Sequence, residues 1–127
     1  MKKNLKIIIL CVLMVSINSI YAQNFNTFST SLIKGDLSEI ASQLDDKVEV
    51  SILNDDSYNK SEAESLIANF FTVGATNEYK AIHKGSAIDN AFYQIGELKA
   101  NNKTYRTYMY SKKTNGDYRI QEFRIEN

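Results

Sequence analysis

Four strand-like segments follow one another in the C-terminal part of the chain, and this succession restricts the fold more than any other feature of the sequence. Residues that tolerate the left-handed backbone of tight hairpin turns separate the segments, namely Asp89-Asn90, Asn101-Asn102 and Thr114-Asn115-Gly116. The sequence therefore predicts an antiparallel meander. Its strands are Glu78 to Ile88, Ala91 to Ala100, Lys103 to Lys113 and Tyr118 to Glu126.

The last of these strands changes its apolar parity halfway along. Tyr118 and Ile120 occupy one parity, whereas Phe123 and Ile125 occupy the other. Because successive side chains of a strand point to opposite faces, both pairs reach the same core only if the strand is locally distorted. We therefore expect a β-bulge or a strong bend near Gln121-Glu122.

Helical spacing precedes the meander. Apolar residues three and four positions apart predict a first helix that ends at Gly35, and Asp36 with Glu39 has the pattern of a cap for a second helix. The apolar positions are Phe25, Phe28 and Leu32 in the first helix, and Leu37, Ile40, Ala41 and Leu44 in the second.

A strand and a third helix complete the pattern. The segment Lys47 to Ile52 alternates polar and β-branched residues, which predicts a half-buried strand, and Asn54 to Ser57 predicts a turn. A capping-box pattern at Ser61 to Glu64 predicts a third helix, which we expect to end at Gly74. Its apolar side carries Leu66, Ile67, Phe70 and Phe71.

This order of elements predicts an α+β domain in which three helices pack on one face of a curved, mostly antiparallel sheet. A long and strongly twisted sheet curls around its helices, and the resulting cone has a mouth that can hold a ligand. The chain contains no proline, no repeat and no low-complexity tract, so a single domain is expected.

The first 22 residues have the layout of a signal peptide. Three lysines follow the first methionine, residues 7–15 form an uncharged apolar run, and Ala22 is the small residue at the expected cleavage site. The run is far shorter than the ~20 residues that cross a bilayer, so no stable membrane anchor is expected after cleavage. We expect residues 23–127 to form the mature domain, in the periplasm or outside the cell.

The mature chain would contain one histidine and no cysteine, because Cys11 lies in the leader. A zinc site, a thiolate site and a disulfide are therefore not expected, and no motif indicates a cofactor. Without the leader, twelve basic and fifteen acidic side chains remain. This acidic balance argues against a nucleic-acid partner.

His83 and Tyr93 are the main candidate ligand-binding residues, and we expect both to point into the cone as the polar end of an apolar pocket. The alternative is that both fill the core or its rim without binding anything. A two-residue turn between their strands would place Tyr93 near Ser86. It would place His83 near Gly96 or Leu98.

Other side chains extend this candidate site. Tyr58 and Arg106 are further candidate ligand residues, and Arg106 with Arg124 could hold an anion, although arginines on a sheet are ordinarily solvated or paired across strands. Glu97 is the best candidate for an inward carboxylate, with a surface ion pair as the alternative. Four tyrosines on the last two strands could line a ligand mouth or form an interface, although strand propensity explains most of them. They are Tyr105, Tyr108, Tyr110 and Tyr118.

Seven short motifs are spread over nearly the whole mature chain. They are Ile33-Lys34-Gly35-Asp36, Tyr58 with Lys60 and Ala63, Phe70-Phe71, His83-Lys84-Gly85, Tyr93 with Ile95-Gly96, Tyr105-Arg106, and Ile120 to Ile125. In this order they resemble an exported bacterial family, domain of unknown function 4783, in the nuclear-transport-factor-2-like (cystatin-like) superfamily. The resemblance implies a cone-shaped fold but no reaction, because the superfamily includes isomerases, cyclases, dehydratases and non-catalytic partner-binding domains. No catalytic residue is carried over.

Three functions remain open at the level of sequence. The first is an exported, non-enzymatic binding or accessory domain, with a small molecule or a protein as its ligand. The second is a small isomerase- or dehydratase-like enzyme for an apolar substrate, which would need a buried carboxylate beside a tyrosine. The third is a homodimerisation module, because apolar and aromatic residues occupy both parities of the last three strands.

Overall fold

The computed structural model describes residues 24–71 and 77–127, which form three helices and one six-stranded sheet. The expected signal peptide lies outside the described residues, and so does Gly74. The prediction that the third helix ends at Gly74 is wrong, because the helix ends at Phe70 and Phe71 already has an extended backbone. Among the helices of the described part, none has both the length and the hydrophobicity needed to cross a bilayer.

The first two helices meet at a tight corner, as the sequence predicts. Helix α1 covers the described residues 24–34, and Gly35 follows it with a left-handed φ of +68°. Asp36 then caps helix α2 (Leu37–Gln43), because its side chain accepts a hydrogen bond from the Glu39 amide at 3.2 Å.

Helix α3 (Lys60–Phe70) begins earlier than predicted. Its cap is Asn59, whose side chain accepts a hydrogen bond from the Glu62 amide at 2.9 Å. The cap predicted at Ser61 is wrong because asparagine caps a helix as well as serine does, and capping at the earlier residue adds helical hydrogen bonds.

The sheet contains strands β1 (Leu44–Ile52), β2 (Asp55–Ser57), β3 (Glu78–Ala87), β4 (Ala91–Ala100), β5 (Lys103–Thr114) and β6 (Asp117–Glu126). Their order across the sheet is β2-β1-β6-β5-β4-β3. Of the five pairs of neighbouring strands, the pair β1–β6 is parallel and the other four pairs are antiparallel.

Strand β2 was predicted as a turn, but a positive φ of 56° at Leu53 makes the connection tight enough for Ser57 to pair with Val50. Leu44, predicted on α2, instead begins β1.

The meander confirms both the turns and the bulge. Tyr110 pairs with Glu122 and Ser111 pairs with Ile120, so Gln121 is an extra residue in β6. Five turn residues have positive φ values between 52° and 62°, namely Asp89, Asn90, Asn101, Asn102 and Asn115.

The two faces of the sheet differ in what covers them. We call the face that packs against the helices the inner face and the opposite one the outer face. The centre of the inner face is an edge-to-face contact between Phe28 of α1 and Phe123 of β6, whose ring centroids are 5.3 Å apart. Around it lie other fully buried side chains of the last three strands, namely Leu98, Met109, Ile120 and Ile125.

Candidate functional site

His83 and Tyr93 lie together on the outer face. The Tyr93 Oη atom is 3.1 Å from His83 Nε2, and the two ring centroids are 5.7 Å apart. On β4, Tyr93 has the opposite parity from Leu98, which is fully buried against the helices. The prediction that both side chains point into the cone is therefore wrong, although they do approach each other.

A second β-bulge explains the position of His83. Ala81 pairs with Gly96 whereas His83 pairs with Ile95, so Ile82 is an extra residue in β3. An extra residue turns every later side chain of its strand to the other face. His83 consequently points outward, although in the sequence it shares its parity with Ala81. Its register partner is Ile95, not the predicted Gly96 or Leu98.

The Tyr93 ring covers a glycine of the edge strand. Tyr93 pairs with Gly85 and not with the predicted Ser86, because three residues separate β3 from β4. A Cβ atom at position 85 would lie 2.6 Å from Tyr93 Oη, so the ring fills the space that any larger residue would need. Glycine at this position therefore allows the ring to lie against β3.

Four half-buried residues form what we call the outer-face cluster, namely Tyr93 and Ile95 on β4 and Tyr108 and Tyr110 on β5. The rings of Tyr93 and Tyr108 stack at 6.3 Å with an interplanar angle of 20°, and the Arg124 guanidinium lies 5.9 Å from the centroid of Tyr108. Arg124 also pairs with Glu122 at 2.5 Å. Burial, and then the charge of Glu122, raise the pKa of Tyr108, while Arg124 opposes this effect.

A row of alternating charges borders this cluster. Arg106 pairs in register with Glu97 on one side and with Glu126 on the other, and Glu97 pairs with Lys80. All four side chains are exposed, and no two of them form an ion pair within 4.0 Å. We call Glu126, Arg106, Glu97 and Lys80 the charged row. Lys80 and Glu126 carry no functional signal in the sequence, because only the strand register brings them level with Arg106.

Tyr58 lies at the β2 side of the same face. Its side chain is 68% exposed and borders a groove of about 270 Å³ that Arg124 also lines. Arg106 borders a second groove of about 280 Å³, which Arg124 and Tyr108 line as well. The four predicted ligand residues are thus all near the outer face, and Arg124 connects the two grooves.

The inner face carries polar side chains but, within the described chain, no buried carboxylate. Its buried polar residues are serine, threonine, asparagine and glutamine, and Glu97 is exposed on the outer face. Tyr79 donates its hydroxyl proton to Gln94 Oε1 at 2.6 Å, and burial raises the pKa of Tyr79 to about 12. No group of three or more histidine, cysteine, aspartate or glutamate side chains in the described part could hold a metal ion.

Comparison with known proteins identifies the family. The family model for a domain of unknown function, DUF4783, matches residues 25–126. No curated protein matches the chain. A crystal structure of a DUF4783 family protein from Bacteroides uniformis is 27% identical, with a TM-score of 0.67, over 77% of this chain and 91% of that one.

Two further crystal structures agree with this result. A DUF4783 family protein from Bacteroides ovatus is 24% identical, with a TM-score of 0.66, over 77% of this chain and 89% of that one. An NTF2-like protein of unknown function from Cytophaga hutchinsonii is 11% identical, with a TM-score of 0.60, over 80% and 84% of the two chains. The chain therefore belongs to the DUF4783 family and has the NTF2-like fold.

Proposed function

We propose that this chain is an exported, non-catalytic binding domain whose outer sheet face forms the interface of a homodimer. The observation that carries the proposal is the outer-face cluster, three tyrosines and an isoleucine that meet on a face not covered by the described helices. Aromatic residues at the centre and charged residues at the rim are typical of protein interfaces. Arginine is also enriched at protein interfaces, and the Arg124 guanidinium lies over the Tyr108 ring.

Binding is favoured over catalysis because of where the acidic side chains lie. An isomerase of this fold would need a carboxylate in the apolar interior, beside a tyrosine. Tyr79 is in place on the inner face, but its hydroxyl bonds to neutral groups, the amide of Gln94 and the sulfur of Met109. Glu97, the carboxylate considered from the sequence, is exposed on the outer face among other charges.

The charges around the outer-face cluster favour a second copy as the partner. Cations and carboxylates alternate on this face, as in the charged row and in the pair of Arg124 with Glu122. A face of one sign would repel its own copy and attract a partner of the other sign, whereas a face of mixed sign can complement itself.

The oligomeric state of residues 23–127 tests this proposal, since these residues contain every described helix and strand. The expected result in sedimentation equilibrium is a reversible dimer. Replacing two cluster residues, Tyr93→Ala with Tyr108→Ala, is expected to weaken dimerisation at least tenfold. Leu37→Ala is the matched control, because Leu37 is an apolar side chain, 46% exposed, on α2. A wild-type chain that stays monomeric at about 1 mM would refute the homodimer.

Export is a separate part of the proposal, and the leader layout of residues 1–22 supports it. The full-length chain, expressed in a Gram-negative bacterium, is expected in the periplasmic fraction with an intact mass that begins at Gln23. A chain without residues 1–22 is the control and is expected to stay in the cytoplasm. Full-length protein of unprocessed mass in the cytoplasm would contradict export and leave the homodimer test unaffected.

A further inference from the structure

The signs of the charged row point to one particular arrangement of two copies. From β6 to β3 the row reads Glu126, Arg106, Glu97, Lys80. Reversing it about its midpoint, between β5 and β4, exchanges Arg106 with Glu97. The same reversal exchanges Glu126 with Lys80. Every position is then matched with a charge of opposite sign, so the row is complementary to its own reversed copy.

We propose that the two-fold axis of the dimer lies between the two sheets, parallel to the strands, over the line where β4 meets β5. Such an axis performs this reversal and closes the assembly at two copies. Arg106 of each chain then faces the partner's Glu97, and Lys80 faces the partner's Glu126. The inference rests on the proposed homodimer and adds its geometry.

The apolar residues obey the same operation. Within one chain Tyr108 pairs with Ile95, and Tyr110 pairs with Tyr93. Because the axis runs between their strands, each of these residues faces the partner's copy of its own register partner. Tyr108 therefore meets the partner's Ile95, and Tyr110 meets the partner's Tyr93. The outer-face cluster is buried against itself, and the charged row lies along one border.

Other axes bring like charges together. An axis along β5 would place Arg106 opposite the partner's Arg106. A second alternative axis lies between the two sheets, perpendicular to the strands and over the middle of the cluster. It would place Arg106 opposite the partner's Lys112, because Lys112 lies as far beyond Tyr110 as Arg106 lies before Tyr108. Like charges that face each other across an interface are unfavourable. The axis between β4 and β5 avoids both contacts.

The available charges and area are consistent with a weak, salt-sensitive dimer. The four residues of the charged row form no ion pair with one another inside the chain, so their charges are available to a partner. Two sheets pack about 10 Å apart with their strands rotated by about 30°, a gap that arginine, lysine and glutamate side chains can span. Across β3 to β6 the outer face is about 19 Å wide, and an overlap of about eight residues along these strands is about 27 Å long. Two such faces bury on the order of 1,000 Å², near the lower limit for a specific interface.

Charge reversal tests this axis. Glu97→Arg alone and Arg106→Glu alone each place two like-charged pairs across the dimer, so each variant is expected to dimerise at least tenfold more weakly than the wild type. An equimolar mixture of the two variants is expected to form a heterodimer of nearly wild-type affinity, because Arg106 of one chain then faces Glu97 of the other and the two introduced charges also face each other. Native mass spectrometry with one variant labelled with ¹⁵N measures this heterodimer directly.

The mixture separates contacts between chains from contacts within a chain. Positions 97 and 106 are also register partners within one chain. Each variant therefore carries two like charges side by side, both when it is measured alone and when it is mixed with the other variant. Only a contact between chains is restored by mixing. Lys34→Glu, at an exposed lysine of α1, is the control and is expected to leave dimerisation unchanged. A monomeric wild type would refute the homodimer itself, whereas a wild-type dimer with no recovery in the mixture would refute this axis alone.

Discussion

Raising the pH above 10 is expected to destabilise the fold through Tyr79. This side chain packs against the core from β3 and donates its proton to Gln94 Oε1 at 2.6 Å. Burial raises the pKa of Tyr79 from 10.0 to about 12, and the nearby Thr107 hydroxyl partly offsets the rise. The unfolded chain therefore loses this proton first as the pH rises. The stabilisation is fully present below pH 10 and is lost as the pH approaches 12.

The pKa difference sets the size of this effect. Two pKa units correspond to about 2.7 kcal/mol, and partial solvent access to the ring reduces the expected loss to about 2 kcal/mol. The variant Tyr79→Phe lacks the ionisable group but leaves Gln94 without its donor. We therefore expect it to be about 1 kcal/mol less stable than the wild type near neutral pH. Near pH 12 the order is expected to reverse.

Urea unfolding followed by far-UV circular dichroism measures this reversal, since the chain has no tryptophan for fluorescence. The free energy of unfolding of the wild type and of Tyr79→Phe is compared at several pH values between 8 and 12. Tyr58→Phe is the matched control, because that ring is 68% exposed, and it is expected to follow the wild type. A constant difference between the wild type and Tyr79→Phe over the whole range would refute the reasoning.

Three further substitutions test local features of the structure. Asn59→Ala is expected to cost about 1 kcal/mol in urea unfolding and Ser61→Ala less than about 0.5 kcal/mol, so equal costs would contradict the cap at Asn59. Gly85→Ala is expected to displace the Tyr93 ring and to weaken the proposed dimer in sedimentation equilibrium, so an unchanged affinity would contradict a place for this ring in the interface. Phe123→Ala removes a fully buried ring and is expected to cost about 3 to 5 kcal/mol in urea unfolding, and a cost below about 1 kcal/mol would contradict its central place in the core.

Most of the architecture could be predicted because the turns and caps have their own sequence signals. Asn101 and Asn102 adopt positive φ values that few other residues accept, so they mark a hairpin without any knowledge of the rest of the fold. The parity change around Gln121 is a similar signal, since it can be satisfied only by distorting the strand. Strand β2 was missed because three residues with two aspartates have little strand propensity, and pairing with β1 decides their structure.

The candidate site could be predicted only in part, because the residues alone do not choose a face. Strand β4 carries apolar side chains on both parities, with Phe92 and Leu98 on one and Tyr93 and Ile95 on the other. Its pattern therefore fits either orientation, and packing against the helices selects one. For His83 the deciding feature is the bulge at Ile82, which has no parity change or glycine to mark it.

That same bulge connects the edge of the sheet with its outer face. Strand β3 is the last strand of the sheet, and a regular edge strand of ten residues would offer its free backbone groups to another chain. The extra residue at Ile82 interrupts this edge, and Lys84 adds charge beside it. The bulge also turns His83 toward Tyr93, where it extends the outer-face cluster. One inserted residue thus hinders edge-to-edge pairing, which has no natural end, and enlarges the face that we propose as the interface of a closed dimer.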